Sequence, residues 1–297
     1  MKKIKYGLLY SFCWLHAILP LKVLYVFSDV LYYIIYYLVR YRRQITRKNL
    51  ENAFPQDTHK EIIRKEKQFY QHFCDYFFET IKLLHISDEE MKRRLVFRNM
   101  AQFHQWMGSD RSCIMMLGHY GNWEWVTSIV LWIPVADRMN IGQIYRPLKD
   151  KTMDEFFLNL RSRFHSIGIA KNDTLRAIVR MRRENKQMLL GFMSDQKPSR
   201  NGIYYWTTFL NQDTPVLTGV ERIAKQTGFI VCYLDIIRKK RGYYEGEIKL
   251  ITEHPEATAE FEITEQYIRE MEQTILRNPA CWLWTHNRWK HKRTDIK

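Results

Sequence analysis

A histidine and a glutamate stand five positions apart in the stretch GHYGNWEW, Gly118 to Trp125. Histidine is the side chain best suited to take a proton at neutral pH, and a neighbouring carboxylate can orient its ring. In one continuous α-helix, however, five residues would turn His119 and Glu124 about 140° apart. The pair therefore predicts a bend in the chain. If the bend brings the two side chains together, His119 can act as a general base.

The residues around the pair predict a strand, a turn and a helix. The run Cys113 to Leu117 is short and apolar, which is typical of a buried strand in an α/β sheet. Gly121 allows a sharp turn, and Asn122 is placed to cap a helix from Trp123 to Trp132. Glu124 then lies in the first helical turn, where the helix dipole favours a carboxylate. This arrangement would bring the glutamate back onto the histidine.

Apolar runs typical of strands alternate with helical patterns through the rest of the chain. The predicted strands, besides the one above, cover residues 139–145, 187–192, 229–237 and 244–251. The predicted helices cover residues 58–84, 154–164, 175–183, 218–226 and 260–276. Alternation of this kind predicts an α/β fold, a mixed sheet with helices on both faces.

The N-terminal segment predicts a membrane anchor. From Tyr6 to Val39 the chain is nearly all apolar or aromatic, and basic residues flank it on both sides, which favours a cytoplasmic position for both ends. We expect a shallow helical hairpin in residues 1–44, followed by a single domain in residues 45–297. The alternatives are one tilted transmembrane helix with an interfacial one, or a buried soluble helix pair. The segment lacks the cleavage site of a secretory signal.

The charge balance implies an anionic partner. Lysines and arginines number 47 against 32 aspartates and glutamates, a formal net charge of +15. A nucleic acid, an acidic protein, a phosphorylated substrate and an anionic membrane surface would all suit this excess. The apolar N-terminus favours the membrane, so no nucleic-acid partner is expected. A basic RNA-binding protein and a non-enzymatic membrane scaffold are the alternatives outside the enzymes.

The sequence carries no motif for a metal or a nucleotide. Its five cysteines are scattered without a CxxC pair and indicate reduced thiols in a cytosol-facing protein. No HExxH, Walker loop or GxGxxG occurs. We therefore expect no metal site and no cofactor.

Several segments together resemble a known family. GHYGNWEW looks like the His-x4-Glu form of the signature of glycerolipid acyltransferases. The surroundings resemble the bacterial lipid A late acyltransferase branch in five segments, namely RRQITRKNLENAFP, FYQHFCDYFFETIK, IYRPLKDKTMDEFFLNLRSRF, SDQKP and NPACWLWTHNRWK. The resemblance runs over nearly the whole chain.

The resemblance implies transfer of a fatty acyl chain from acyl carrier protein to a hydroxyl of a lipid A precursor. It also implies a site on the cytoplasmic face of the cell inner membrane. His119 would be the base, and Glu124 would hydrogen-bond the other ring nitrogen, as the acid does in a catalytic triad. The acceptor hydroxyl itself attacks, so no serine or cysteine nucleophile is needed. Other acceptors, a lysophospholipid or an aminolipid, stay open.

Further residues are candidates for contact with the substrates. Arg146, Arg161 and Arg238 are the candidate anion contacts, although each is also compatible with a solvated surface charge. The resemblance places Arg146 where acyltransferases often hold a phosphate, and aligns Arg161 and Asp195 with important polar positions. Asp195 is equally compatible with a turn residue.

The bend and the SDQKP segment supply the remaining candidates. Gly121 and Asn122, in the GHYGNWEW stretch, and Gln196, in SDQKP, are assigned to substrate binding. The tetrahedral intermediate of acyl transfer needs donors near its oxyanion, and the backbone amides of Tyr120 and Gly121 are the candidates.

Overall fold

The structure is a computed structural model that describes residues 2–133, 139–184 and 186–295. Its strands are β1 (Leu95–Phe97), β2 (Cys113–Leu117), β3 (Met139–Tyr145), β4 (Ile167–Ala170), β5 (Gln187–Met193), β6 (Tyr205–Phe209), β7 (Gln212–Val216), β8 (Ile230–Lys240) and β9 (Tyr243–Thr252). Seven of them form the central sheet, in the order β1-β9-β8-β2-β5-β3-β4, while β6 and β7 form a separate antiparallel hairpin.

The central sheet is mostly parallel. Only β8 and β9 pair antiparallel; β2 pairs parallel with β8 on one side and with β5 on the other. All five residues of β2 are buried. A strand covered on both faces explains its uninterrupted apolar run. The strand thus ends in the middle of the sheet, where its last residues are surrounded by other elements.

Helices flank the sheet. They are α1 (Lys2–Ile18), α2 (Leu21–Tyr33), α3 (Arg43–Ala53), α4 (His59–Lys82), α5 (Asp88–Arg94), α6 (Met100–Met107), α7 (Lys151–Arg161), α8 (Thr174–Arg182), α9 (Gly219–Thr227) and α10 (Glu262–Arg277). A 3-10 helix, Trp125–Trp132, follows the GHYGNWEW bend, and π-helical residues Ile34–Val39 extend α2. The mixed α/β fold predicted from the sequence is confirmed.

Most predicted elements lie where the apolar patterns place them. Every predicted strand and helix is present, with ends shifted by a few residues. One detail was wrong: the helix after the bend is a 3-10 helix that begins at Trp125, so Glu124 immediately precedes it. The sequence patterns missed β1, β4, the hairpin β6–β7 and the helices α3, α5 and α6. These elements are short, and short runs carry little periodicity.

The N-terminal helices expose one apolar face and pack the other. The chain breaks between α1 and α2 at Pro20, which has no backbone hydrogen to continue a helix. The exposed side chains include Ile4, Leu8, Phe12, Leu15, Val26, Val30, Leu38 and Val39. Residues Leu21–Val39 are long and apolar enough to cross a membrane by length and composition. Whether they span a membrane or lie on it stays a prediction.

The packed face is tied to α4 by polar contacts. Tyr25 donates a hydrogen bond to Glu79 at 2.9 Å, and Ser28 donates one to Asp75 at 2.7 Å. The buried Lys82 ammonium donates to two carbonyl groups at the break between α1 and α2. The described part of the N-terminal segment, residues 2–44, is therefore attached to the rest of the protein by specific contacts. Their division from residues 45–297 as a separate unit stays a prediction.

Candidate active site

The register of β2 and β5 brings two distant side chains together. These strands pair in parallel with Leu117 opposite Met193. His119 follows β2 by two residues and Asp195 follows β5 by two residues, so both emerge at the same edge of the sheet. The carboxyl ends of parallel strands are the usual place for ligand sites in such sheets. The site lies there.

Asp195 orients the His119 ring. Its Oδ1 lies 2.7 Å from His119 Nδ1, and its Oδ2 accepts hydrogen bonds from the His119 backbone amide at 2.9 Å and from Trp282 Nε1 at 2.8 Å. Burial alone would raise the pKa of Asp195. The charge and hydrogen bonds of His119, together with the hydrogen bond from Trp282, outweigh the effect of burial and lower the pKa to about 2. The carboxylate is therefore ionised at neutral pH.

The other ring nitrogen of His119, Nε2, keeps a free lone pair. An ionised carboxylate only accepts hydrogen bonds, so the hydrogen of the neutral ring sits on Nδ1 and leaves Nε2 with a free lone pair. Gln196 Nε2 lies 3.2 Å from His119 Nε2 and donates to it. Trp123 contacts the ring with centroids 5.3 Å apart in an edge arrangement. The arrangement is that of a general base with its orienting acid.

Glu124 is paired with Arg161 and not with His119. Its carboxylate accepts hydrogen bonds from Arg161 Nε at 2.7 Å and Nη2 at 2.6 Å, and Tyr76 donates a further one at 3.3 Å. Burial would lower the pKa of Arg161, but the bonds and charge of Glu124 outweigh it and raise the pKa. The predicted hydrogen bond between Glu124 and His119 is wrong, because a two-pronged arginine holds the carboxylate.

Helix α4 supports the bend. His72 Nε2 donates to the Gly121 carbonyl at 3.2 Å, and the buried Glu79 carboxylate accepts from Asn122 Nδ2 at 2.9 Å. Trp125 Nε1 donates to the Glu79 carbonyl at 2.8 Å. Asn122 Oδ1 accepts from the Trp125 amide at 3.2 Å, but the residue at the N-cap position is Glu124, so the predicted cap at Asn122 is wrong. Gly121 and Asn122 are thus engaged in shaping the loop, and their predicted contact with substrate is not supported.

The glycines of the bend are required by space and by backbone angle. A Cβ on Gly118 would lie 2.4 Å from Met271 Sδ. Gly121 has φ +61° and a Cβ there would lie 2.9 Å from Ile236 Cγ2. A side chain at Gly118 would push Met271 aside, and one at Gly121 would strain the backbone of the loop that follows the histidine.

The C-terminal segment pairs with the bend along its backbone. The Gly121 amide donates to the Cys281 carbonyl at 2.9 Å, the Leu283 amide donates to the His119 carbonyl at 3.2 Å, and Tyr120 forms an isolated bridge with Trp282. The Tyr120 amide donates to the Gly118 carbonyl at 2.8 Å. The amides of Tyr120 and Gly121 are therefore already used, and the prediction that they hold the oxyanion is wrong for this conformation.

The three candidate arginines have different surroundings. Arg161 is neutralised by Glu124, and Arg238 donates to the buried Asp75 at 3.2 Å, as part of the contact between β8 and α4. Both were predicted to bind substrate, but each has a carboxylate partner inside the protein. Arg146 is exposed in the loop between β3 and α7, and no ion pair joins it to a carboxylate in the described part of the chain.

An apolar pocket opens beside the site. Strands β2, β3 and β5 line it, together with Trp123, Arg161 and the 3-10 helix; the strand residues are Met115, Leu117, Ile141, Gly142, Gln143, Ile144, Tyr145, Leu189, Gly191 and Met193. From Leu189 to Met193 the strand covers about 13 Å, at roughly 3.3 Å per residue. The pocket therefore follows the sheet face away from the edge that carries His119. Its shape and lining suit a hydrocarbon chain.

The sequence patterns missed several residues that shape the site. These residues are Trp282, His72, Tyr76 and Glu79. The sequence pattern assigned their segments to core packing or only to the family resemblance. The position of Asp195 directly after a buried strand was a usable signal for its place beside His119, because parallel strands end at one edge.

Comparison with known proteins agrees with this geometry. The family model of bacterial lipid A biosynthesis acyltransferases matches residues 2–291. The chain is 24% identical over 255 residues to the lipid A biosynthesis palmitoleoyltransferase of Escherichia coli (strain K12), covering 84% of this chain and 79% of that protein. The lipid A biosynthesis acyltransferase of Shigella flexneri matches to the same extent. With an oriented histidine beside an apolar pocket, and a family match over nearly its whole length, the chain belongs to the bacterial lipid A biosynthesis acyltransferase family.

Proposed function

We propose that this acyltransferase moves a fatty acyl chain from the thioester of acyl carrier protein to a hydroxyl of a lipid A precursor. The observation that carries the proposal is the His119 ring, which the buried Asp195 orients and which contacts Trp123, a residue that lines the apolar pocket. The E. coli and Shigella relatives are named for lipid A biosynthesis, which supports that acceptor. The reaction takes place at the cytoplasmic face of the inner membrane.

The chemistry needs one proton carrier. His119 Nε2 takes the proton of the acceptor hydroxyl as its oxygen attacks the thioester carbonyl carbon. The tetrahedral intermediate collapses, the carbon–sulfur bond breaks, and the imidazolium returns the proton to the departing thiolate. Asp195 holds the ring and stabilises its charged form. Gln196, which now lies against Nε2, gives way to the acceptor hydroxyl and then contacts the substrate.

Glu124 acts through Arg161 in this proposal. The pair is buried, and Arg161 lines the apolar pocket. Glu124 thereby fixes a cation at the pocket wall and holds the start of the 3-10 helix next to Trp123. Glu124 is a positioning residue here, and its loss is expected to affect catalysis through the shape of the site.

The surface supports an acidic donor and a lipid acceptor. The outward face of α8 exposes Leu175 and Val179 beside Arg176 and Arg180, a combination that complements an acidic protein with apolar side chains. The exposed apolar face of α1 and α2 complements a bilayer. These two surfaces suit a protein that takes a chain from a soluble carrier and delivers it to a membrane lipid.

The test is product analysis with the purified full-length protein. Acyl carrier protein thioester is supplied with a lipid A precursor, a lysophospholipid or an aminolipid, and mass spectrometry detects the gain of one acyl chain. We expect gain on the lipid A precursor. Gain only on one of the other lipids would contradict the acceptor, and no gain on any of them would contradict the proposed reaction.

A further inference from the structure

A tryptophan of the C-terminal segment holds the acid that orients the proposed base. Trp282 Nε1 donates a hydrogen bond to Asp195 Oδ2 at 2.8 Å, and both residues are only 2% exposed. The other carboxylate oxygen, Oδ1, lies 2.7 Å from His119 Nδ1. The indole and the imidazole therefore bind different oxygens of one buried carboxylate.

Two donors on Oδ2 fix the rotation of this carboxylate. With one hydrogen bond to the ring alone, an aspartate could still turn about its terminal torsion, whose energy minimum is broad. The His119 backbone amide at 2.9 Å and the Trp282 indole at 2.8 Å both hold Oδ2 of Asp195, so Oδ1 stays directed at Nδ1. The amide belongs to the same residue as the ring, whereas the indole comes from a distant part of the chain.

The indole of Trp282 is itself held by aromatic neighbours. Phe209 of β6 contacts it with centroids 5.8 Å apart, and Trp284 contacts it at 4.7 Å, each with an interplanar angle of 85°. Edge-to-face contacts of this kind favour a defined orientation of the ring. The indole nitrogen is therefore kept in the direction of Asp195.

The same segment also holds the backbone of the histidine. The Leu283 amide donates to the His119 carbonyl at 3.2 Å, and Tyr120 forms an isolated bridge with Trp282. Adjacent residues of one segment thus hold the base by its carbonyl and the acid by its carboxylate. This double contact fixes the base and the acid relative to each other.

Two other tryptophans of the segment donate to ordinary acceptors. Trp284 Nε1 donates to the Pro279 carbonyl at 2.6 Å, and Trp289 Nε1 donates to Thr214 Oγ1 at 2.7 Å. A buried indole N–H needs an acceptor, and a carbonyl or hydroxyl oxygen is sufficient. The N–H of Trp282 is directed instead at the carboxylate that faces the base.

We propose that Trp282 is a positioning residue for the acyl transfer, which keeps the Asp195 carboxylate in the rotation that orients the His119 ring. This inference rests on the proposed function, since that function makes His119 the base. Trp282 itself touches neither substrate in this account. It acts on the reaction through Asp195.

The experiment removes the indole N–H and keeps an aromatic ring. Trp282→Phe is compared with the parent, and replacement of Trp282 by benzothienylalanine, in which sulfur takes the place of the N–H, preserves the ring shape if the phenylalanine variant does not fold. The matched control is Trp289→Phe, which loses an indole bond of the same segment and leaves the bond between Trp282 and Asp195 in place.

Two measurements are made on each variant. Steady-state kinetics use the full-length protein with carrier-protein thioester and lipid A precursor. Proton NMR with isotope-labelled histidine follows the hydrogen on His119 Nδ1, whose signal is identified by its loss in His119→Ala. The NMR measurement needs no substrate, so it does not depend on turnover.

We expect kcat of the Trp282 variants to fall about tenfold, the lower end of what a hydrogen bond to a charged group contributes. The KM for either substrate should stay nearly constant, because the lost interaction serves the transition state. The Nδ1 hydrogen signal should broaden, since a carboxylate that can rotate protects this hydrogen less from exchange with water. The Trp289→Phe control should keep the kcat and the signal of the parent.

A kcat or a signal like that of the parent in the folded Trp282 variants would overturn the positioning role. An equal change in the Trp289→Phe control would overturn it too, because the effect would then belong to the packing of the segment. A parent protein without turnover would contradict the proposed function alone, while the NMR signal would still decide whether Trp282 positions the ring.

Discussion

The imidazole of His119 is held by Asp195 at one ring nitrogen, which leaves the other for the proposed proton transfer. Asp195 fixes Nδ1, and Trp123 lies against the ring, itself stacked on Tyr76 with centroids 4.1 Å apart. Among the described residues, Nε2 has a hydrogen-bond contact with the amide of Gln196. In the proposed reaction, this nitrogen is the acceptor position for the proton of the incoming hydroxyl.

The Glu124–Arg161 pair is expected to matter for stability more than for proton transfer. Replacing Arg161 by alanine leaves the Glu124 carboxylate, 2% exposed, without its main partner, so we expect a loss of about 3 kcal/mol in the free energy of unfolding. The double variant Glu124→Gln/Arg161→Met should recover part of that loss. Urea unfolding measures both. Equal free energies of unfolding for the parent and Arg161→Ala would show that the Glu124–Arg161 pair contributes nothing to stability.

At the scale of elements, α4 connects the N-terminal helices to the site. Tyr25 of α2 donates to Glu79, and the same carboxylate accepts from Asn122 in the bend. Asp75 joins Ser28 of α2 to Arg238 of β8 in the same way. Deleting residues up to Val39 would remove one hydrogen-bond donor from each of these buried carboxylates and both carbonyl acceptors of Lys82. Such a truncation is therefore a test of folding as much as of membrane attachment.

Membrane attachment is better tested on the exposed face alone. Changing Leu8, Phe12, Val26 and Val30 together to serine removes outward apolar area without touching the contacts to α4. We expect this variant to lose most of its binding to vesicles containing anionic lipid, because shallow insertion depends on buried apolar area. Vesicle flotation measures it, with Ser28→Ala as the control that weakens an inward contact. Full flotation of the serine variant in high salt would contradict the assignment of this face.

The pocket along β5 predicts how acyl chain length is limited. Gly191 lines it, and a Cβ there would lie no closer than 3.8 Å to the nearest atom, so larger side chains project into the space. Gly191→Ala and Gly191→Val should shift preference to shorter donors, with about a tenfold loss for the longest chain when valine displaces two methylene groups. Competition between thioesters of different length measures the shift. Unchanged preference in both variants would place the acyl chain elsewhere; Gly219→Ala, at an open surface position, is the control.

At the scale of the whole molecule, the sequence predicted the fold better than the contacts of the site. Strand β2 and its bend were correct because an uninterrupted apolar run and two glycines leave few alternatives. The predicted partner of His119 was wrong. Glu124 is near His119 in sequence, but it is the register of β2 and β5 that brings Asp195 to the histidine. The role of α4 was missed for the same reason: its periodicity shows a buried face but not that Glu79 and His72 on it hold the bend.

The net charge of +15 predicts a dependence on salt. Attraction between the basic surface and an acidic carrier is screened over a Debye length of about 10 Å at 0.1 M salt. We expect the KM for the carrier-protein thioester to rise severalfold between low salt and 0.5 M salt, while the KM for a small uncharged thioester stays nearly constant. Steady-state kinetics at both salt concentrations decide this. Equal rises for both donors would indicate that the basic surface does not guide the carrier.

The most direct test of the account is the turnover of His119→Ala and Asp195→Asn with carrier-protein thioester and lipid A precursor. Loss of the positioned base should lower kcat by about 10²- to 10⁴-fold, and Asp195→Asn should give a loss in the same range because the ring is no longer held in the right tautomer. His254→Ala, an exposed histidine away from the site, is the control and should match the parent. Circular dichroism verifies folding of each variant. Turnover near the parent value in folded His119→Ala would contradict the account.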